Sequence, residues 1–361
     1  MEYKFKNEIP IEASASDPET QVDLQRNTML CIIQSKKKNL KRIEFKRVSI
    51  SESFGFDLVI EDSPQKEFYL KKVIPIKVKQ SKLFACIGIE YSITEKTVNA
   101  KVQIGSVIDN QLDAHACSFS IEPKYNVKVE RCRAFMEQNS LGDLIFSVAS
   151  SPDLFLIKSA DIQSSMEVKD KWNLKAIRTR ISNAAQLQAM TVGTHRDTPG
   201  VFVIYLEQDS NGVVVGGSSI RHYQFKKKAE SGELNWIFKM MLPMTLIDPS
   251  LSVCVEMLVV SSMHPDSFEY QINGIRYIDD ESQLWKIEIG KAPIKVINLI
   301  WMDKHANQFA ILKQDPHIIN DKYLIEIYCK SGVLSNYSLF LFKSFLVLVS
   351  CCKTFLRICS L

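Results

Sequence analysis

Glycine and proline are scarce, with 13 and 12 of the 361 residues. That excludes collagen-like chains and linker-rich ones. Charge of one sign is missing too: 45 basic residues stand against 41 acidic ones, a net of +4. Such a balance does not call for nucleic acid as the main partner. The N-terminal stretch MEYKFKNEIPIEASASDPET has no apolar run of the secretory kind. Nine cysteines occur without any CxxC pair, mostly inside apolar runs such as FACIGI around Cys86 and SVCVEM around Cys254. They read as reduced, buried thiols of a cytoplasmic or nuclear protein, with no structural zinc site and no cofactor expected.

Signals of known chemistry are also lacking. His115, His195, His222, His264, His305 and His317 show no metal-binding spacing. Gly216-Gly217-Ser218-Ser219 has the wrong order for a nucleophile elbow, and there is no phosphate-cradling glycine loop. Asp209-Ser210-Asn211-Gly212 is a hairpin turn and not a calcium loop, because the alternating acids and the closing Glu are missing. Asp279-Asp280-Glu281 reads as a solvated acidic turn.

What the chain does have is short runs rich in Val, Ile and aromatics, separated by turn residues. Phe84 to Ser92 and Val98 to Val107 flank the turn-like ITEKT. Leu144 to Ser150 and Leu154 to Lys158 flank Ser151-Pro152-Asp153, where Pro presets a turn dihedral and Asp accepts a local hydrogen bond. They are expected to pair antiparallel. Val201 to Glu207 runs into the turn at Asp209 and on to Val213 to Phe225, with Val213, Val215 and Ile220 expected to be buried. The one helical candidate is Ser182 to Ala189. The four tryptophans, Trp172, Trp236, Trp285 and Trp301, stand in or beside strand-like runs and are expected to pack between sheets.

The fold class that follows is all-β, with about twenty short strands that must hide their edges. Strand-turn-strand units open near Leu83, Asp143, Gln186, Val255 and Asn307, at steps compatible with propeller blades carrying loop insertions. Leu284-Trp285-Lys286-Ile287-Glu288 resembles the third strand of a WD40 blade, although Gly-His and Trp-Asp dipeptides are absent. On this pattern, residues 40–334 resemble a divergent WD40-like β-propeller. The expected organisation is a polar arm over 1–30, a propeller over 31–335 and an apolar tail over 336–361 lying outside the main fold. Such a ring closes by pairing its first and last strands.

The resemblance, with the missing catalytic motifs, implies a non-enzymatic scaffold whose partners are other protein subunits of an intracellular complex. The alternatives are an all-β enzyme with a dispersed site around His195, Arg196, Asp197 and His222, and a membrane-associated adaptor using Ser338 to Leu361. The only candidate site of a stated kind is the basic cluster Lys36, Lys37, Lys38, Lys41 and Arg42, as a nuclear import signal or polyanion patch, or else as a solvated hairpin. A second run, Lys226-Lys227-Lys228, is followed by acids that partly neutralise it.

Overall fold

The computed structural model describes residues 3–11, 20–25, 29–48, 53–61, 63–121, 129, 132–149, 151–167, 174–180, 185–195, 198–208, 213–225, 234–241, 246–254, 257–276, 283–303, 305–315 and 322–330. Strand β1 (Tyr3–Ile11) stands apart in sequence from its sheet. A first meander holds β2 (Gln21–Gln25), β3 (Met29–Lys37), β4 (Leu40–Arg47) and β5 (Ser53–Val59). A second holds β6 (Lys66–Val78), β7 (Ser81–Ser92), β8 (Thr97–Ile108) and β9 (Gln111–Ile121). The third comprises β10 (Ala134–Gln138), β11 (Leu144–Val148), β12 (Asp153–Ile157) and β13 (Ile177–Arg180), with helix α1 (Ser159–Glu167) between its last two strands. The fourth is β14 (Ala185–His195), β15 (Thr198–Gln208), β16 (Val214–Phe225) and β17 (Leu234–Met241). The fifth is β18 (Ile247–Val253), β19 (Met257–Met263), β20 (Glu269–Arg276) and β21 (Gln283–Lys291). The last sheet joins β22 (Lys295–Trp301), β23 (Gln308–Asp315) and β24 (Lys322–Lys330) to β1.

The molecule is a β-propeller. Its hydrogen-bonded sheets are four of four strands and one of eight; the eight-stranded sheet is the first two meanders joined at one parallel bridge, Asp57 to Gln111. The first strands of the units form a closed ring of contacts, β2 to β6, β10, β14, β18, β22 and back to β2. Ring closure runs through β1, which pairs antiparallel with β24 from Tyr3↔Lys330 to Ile11↔Tyr323.

The core is divided among the joints between units. Ile87, Ile104, Phe146 and Phe155 fill the joint between the second and third. Val201, Val203 and Tyr205 pack against Ile145 and Leu154 at the next. Trp285 and Trp301 meet Phe309 between the fifth unit and the last, as expected of bulky aromatics. Strands buried on both faces read as unbroken apolar runs: LIFSV of β11 is buried at every position.

The joints are also bridged by polar side chains. Gln21 Nε2 donates to Leu70 O at 2.7 Å, and Gln138 donates to Lys77 O at 2.8 Å while accepting from Lys77 N at 2.9 Å. Gln188 Nε2 donates to Leu246 O at 3.0 Å, Ser250 Oγ to Ile297 O at 3.2 Å, and Asn298 Nδ2 to Leu24 O at 3.0 Å. Side-chain amides and hydroxyls thus satisfy the peptide groups that the inner strands turn toward their neighbours.

Several expectations hold. Strands β11 and β12 pair antiparallel across the Ser151-Pro152-Asp153 turn, with Phe146 opposite Phe155. β7 pairs with β8, and β15 with β16, around the expected hairpins. Ile220 is fully buried. Others are corrected. Val213 is 59% exposed because it precedes β16 and lies outside the covered sheet; the Val215 side chain and the turn at 209–212 lie outside the described residues. Ala185 to Ala189 belong to β14 and are not helical, since pairing with β15 buries Leu187 and Ala189. The helix is α1 instead, whose first turn is tied down by Ser159 N donating to Asp143 Oδ1 at 2.9 Å. Leu284 to Glu288 lie on β21, the last strand of their sheet and not the third. The polar arm is corrected as well: β1 and β2 fall within residues 1–30, and Ile11, Val22 and Leu24 are core. The tail 336–361, Trp172, the side chain of Trp236, Lys226 to Lys228 and Asp279 to Glu281 lie outside the described residues.

Candidate functional site

The six inner strands surround a channel of about 720 Å³. Period-two alternation explains what lines it. On β2, Val22 and Leu24 are buried in the joints, so Asp23 between them turns to the channel. Lys72 on β6, Glu137 on β10 and Asn298 on β22 reach the same space, and Arg133 enters just before β10.

The contacts are specific. Lys72 Nζ lies 3.1 Å from Asp23 Oδ2. The Asp23 carboxylate also accepts from Asn298 Nδ2 and, at 3.4 Å, from Gln25 Nε2. Glu137 Oε2 accepts from Thr191 Oγ1 at 3.2 Å and from Val192 N at 3.0 Å. Burial alone would lower the Lys72 ammonium, but the charges of Asp23 and then Glu137 outweigh it and hold Lys72 above its ordinary value. Lys72 is therefore a cation held by Asp23, with Glu137 in the same channel. Arg133 Nη1 donates to Pro249 O at 3.3 Å, so it spans from the third unit to the fifth, and its guanidinium stacks 5.4 Å from the Phe135 ring centre. Burial draws Arg133 below the usual arginine value, against the pull of Asp248 and Asp23.

Tyr270, behind this wall, is pushed by burial, with Asp248 adding, from a phenol's usual 10.0 up to about 12. The native state holds a proton there that the unfolded chain has released. Its contribution is complete below about pH 10 and is lost as the pH climbs through about 12. Stability in urea is expected to fall by about 2–3 kcal/mol over that interval, and Tyr270→Phe to flatten the slope; an unchanged slope in the variant rules Tyr270 out as its source.

The residues singled out from sequence lie elsewhere. Lys36, Lys37 and Lys38 are exposed at the β3–β4 hairpin. Lys41 is buried and donates to Ser35 Oγ at 2.7 Å, while Arg42 lies 3.3 Å from Asp57 Oδ1. The cluster is thus divided between solvent and internal pairs. His222 is 1% exposed and stacked on Phe202 at 4.0 Å, away from the channel. His195 ends β14 with its side chain outside the described residues, as are Arg196 and Asp197. Sequence reading missed Asp23, Lys72, Arg133 and Glu137, because they come from three separate units that only ring closure brings together. The local signal was confined to Asp23, set between Val22 and Leu24 on β2.

No protein-family model matches the chain, and no curated protein matches it. Solved structures of similar shape do. One is a protein from Lactobacillus plantarum, with a TM-score of 0.50 and 10% identity over 82% of this chain and 77% of that one. Another is an alpha-L-arabinofuranosidase from Fusarium graminearum, with a TM-score of 0.46 and 12% identity over 86% and 93%. A third is a fungal alcohol oxidase in complex with copper, with a TM-score of 0.46 and 6% identity over 93% and 78%. At these identities the likeness is one of fold. The expectation of a non-enzymatic scaffold is corrected: a propeller fold does not decide between scaffold and enzyme, so missing motifs do not make the chain non-enzymatic.

Proposed function

We propose that the protein is an enzyme that acts on a small, hydroxylated molecule in the central channel. The observation that carries this is that the Asp23–Lys72 pair and Glu137, brought in by different units, line one space of about 720 Å³. Small-molecule sites are concave and hold a few convergent polar groups. Thr191, Ser250, Asn298 and the two carboxylates supply both donors and acceptors, which suits hydroxyl groups.

The reaction class is hydrolysis by general acid and base. Glu137, oriented by Thr191 and Val192 N, takes a proton from the attacking water. The Lys72 ammonium, held by Asp23, delivers a proton to the leaving oxygen and is reprotonated from Glu137 through solvent. A WD40-like origin of the repeats is proposed with it, supported by the four-stranded meanders and the closure through β1. The test is a panel of nitrophenyl glycosides and esters with the wild type, Asp23→Asn and Glu137→Gln. Turnover by the wild type is expected, with a loss of about 10²–10⁴-fold in each variant and the β-rich circular dichroism spectrum retained. Turnover that survives both substitutions, or no turnover anywhere in the panel, overturns the reading.

A further inference from the structure

Among the charged groups of the channel, Arg133 differs from the rest. Of the channel's other cations, Lys72 lies on Asp23, Lys295 lies 3.1 Å from Asp248 Oδ2, and Lys71 lies over the Tyr69 ring. Both carboxylates nearest Arg133 in electrostatic effect, Asp248 and Asp23, are therefore already engaged. Among the described residues no carboxylate reaches ion-pair distance of Arg133, whose one hydrogen bond there is Nη1 to Pro249 O. Arg133 is half-buried at the channel wall, and its guanidinium carries five N–H donors. Phe135 covers one face of the plane and the Pro249 carbonyl fixes one corner. The group is thus held in one orientation while its remaining donors stay open to the channel.

We propose that Arg133 is the recognition residue for an anionic group on the channel's ligand, a carboxylate or a phosphate ester on a hydroxylated carbon skeleton. This rests on the channel reading above and narrows its substrate class. A fixed, planar fork matches two oxygens of one anionic group, which a lysine in the same place could not do. The low-dielectric surroundings that make an unpaired cation costly make its pairing with a ligand anion correspondingly favourable. The remainder of the ligand then lies against Thr191, Ser250 and Asn298, within reach of Asp23 and Glu137.

The experiment is calorimetric titration of the full chain with three probes of one skeleton: glucose, glucuronate and glucose 6-phosphate. One or both anionic probes are expected to bind at least about tenfold more tightly than glucose, which follows from a charge-assisted pair. Which of them does so separates the carboxylate from the phosphate. Arg133→Lys keeps the charge and removes the fork, and is expected to weaken the anionic probe by about 10–100-fold while leaving glucose unchanged. Equal binding of all three by the wild type overturns the role of Arg133 and leaves the channel reading standing. An anionic preference that survives Arg133→Lys intact also overturns it. Failure of all three probes to bind, together with an empty turnover panel, sinks both. Should Arg133→Lys not fold, the comparison of probes on the wild type still decides.

Discussion

Phe309→Ala is expected to remove about 3–5 kcal/mol of stability, the range for deleting a fully buried aromatic ring. Phe309 is 0% exposed on β23. It stands directly opposite Trp301 on β22 and Tyr328 on β24, and Tyr328 stands opposite Phe5 on β1. One aromatic from each strand therefore runs across the whole last sheet. Phe309 stacks on Tyr328 at 5.0 Å, meets Trp301 edge-on at 5.6 Å, and takes Trp285 of the preceding sheet on it at 5.5 Å. Each aromatic pair adds about 0.5–1.5 kcal/mol beyond its area. Neighbours this large leave a cavity they cannot close, so the upper half of the range is expected. Urea denaturation of the two proteins measures it, with Phe309→Leu as a milder control. A loss below about 1 kcal/mol would mean that the site collapses freely and that the ladder is loosely packed.

Deleting Tyr3–Ile11 is expected to cost more than any point substitution. The deletion takes away the partners of β24 from Tyr323 to Lys330 and withdraws Ile9 and Ile11 from the joint with the first unit. It also strips Phe5 from Tyr328, 5.9 Å away. The edge of β24 then lies open, and an unprotected edge recruits strands from other copies. The shortened chain should lose its single cooperative unfolding transition and should sediment as oligomers. A peptide of sequence YKFKNEIPI, added in excess, should restore the monomer by occupying the vacant edge. A deleted protein that melts cooperatively as a monomer would show β1 to be an accessory.

Strand-rich character was legible in the sequence wherever partners were neighbours. β11 and β12 announce themselves because Ser151-Pro152-Asp153 sits between two apolar runs. The same local logic fails for β1, whose partner β24 lies at the other end of the described chain. With Lys4, Phe5 and Glu8 exposed, nothing local marks YKFKNEIPI as a strand. It fails again for the channel. Asp23, Lys72 and Glu137 each look like an ordinary surface charge in their own strand, and only ring closure brings them together. His222, a candidate for a dispersed site, is core instead, stacked on Phe202 and away from the channel.

Closure through β1 also sets a timetable for the ribosome. β1 is made before the other strands of its sheet, and its partner β24 is not complete until Lys330, 319 residues after Ile11. At about 5–20 residues per second, that is roughly 15–65 s of waiting. Throughout that interval the N-terminal segment is an unclaimed strand, while the meanders from β2 onward can assemble as each is finished. Chaperone dependence during synthesis should therefore centre on Tyr3–Ile11. A circular permutant that begins at β2 and carries β1 after β24 should be released from it.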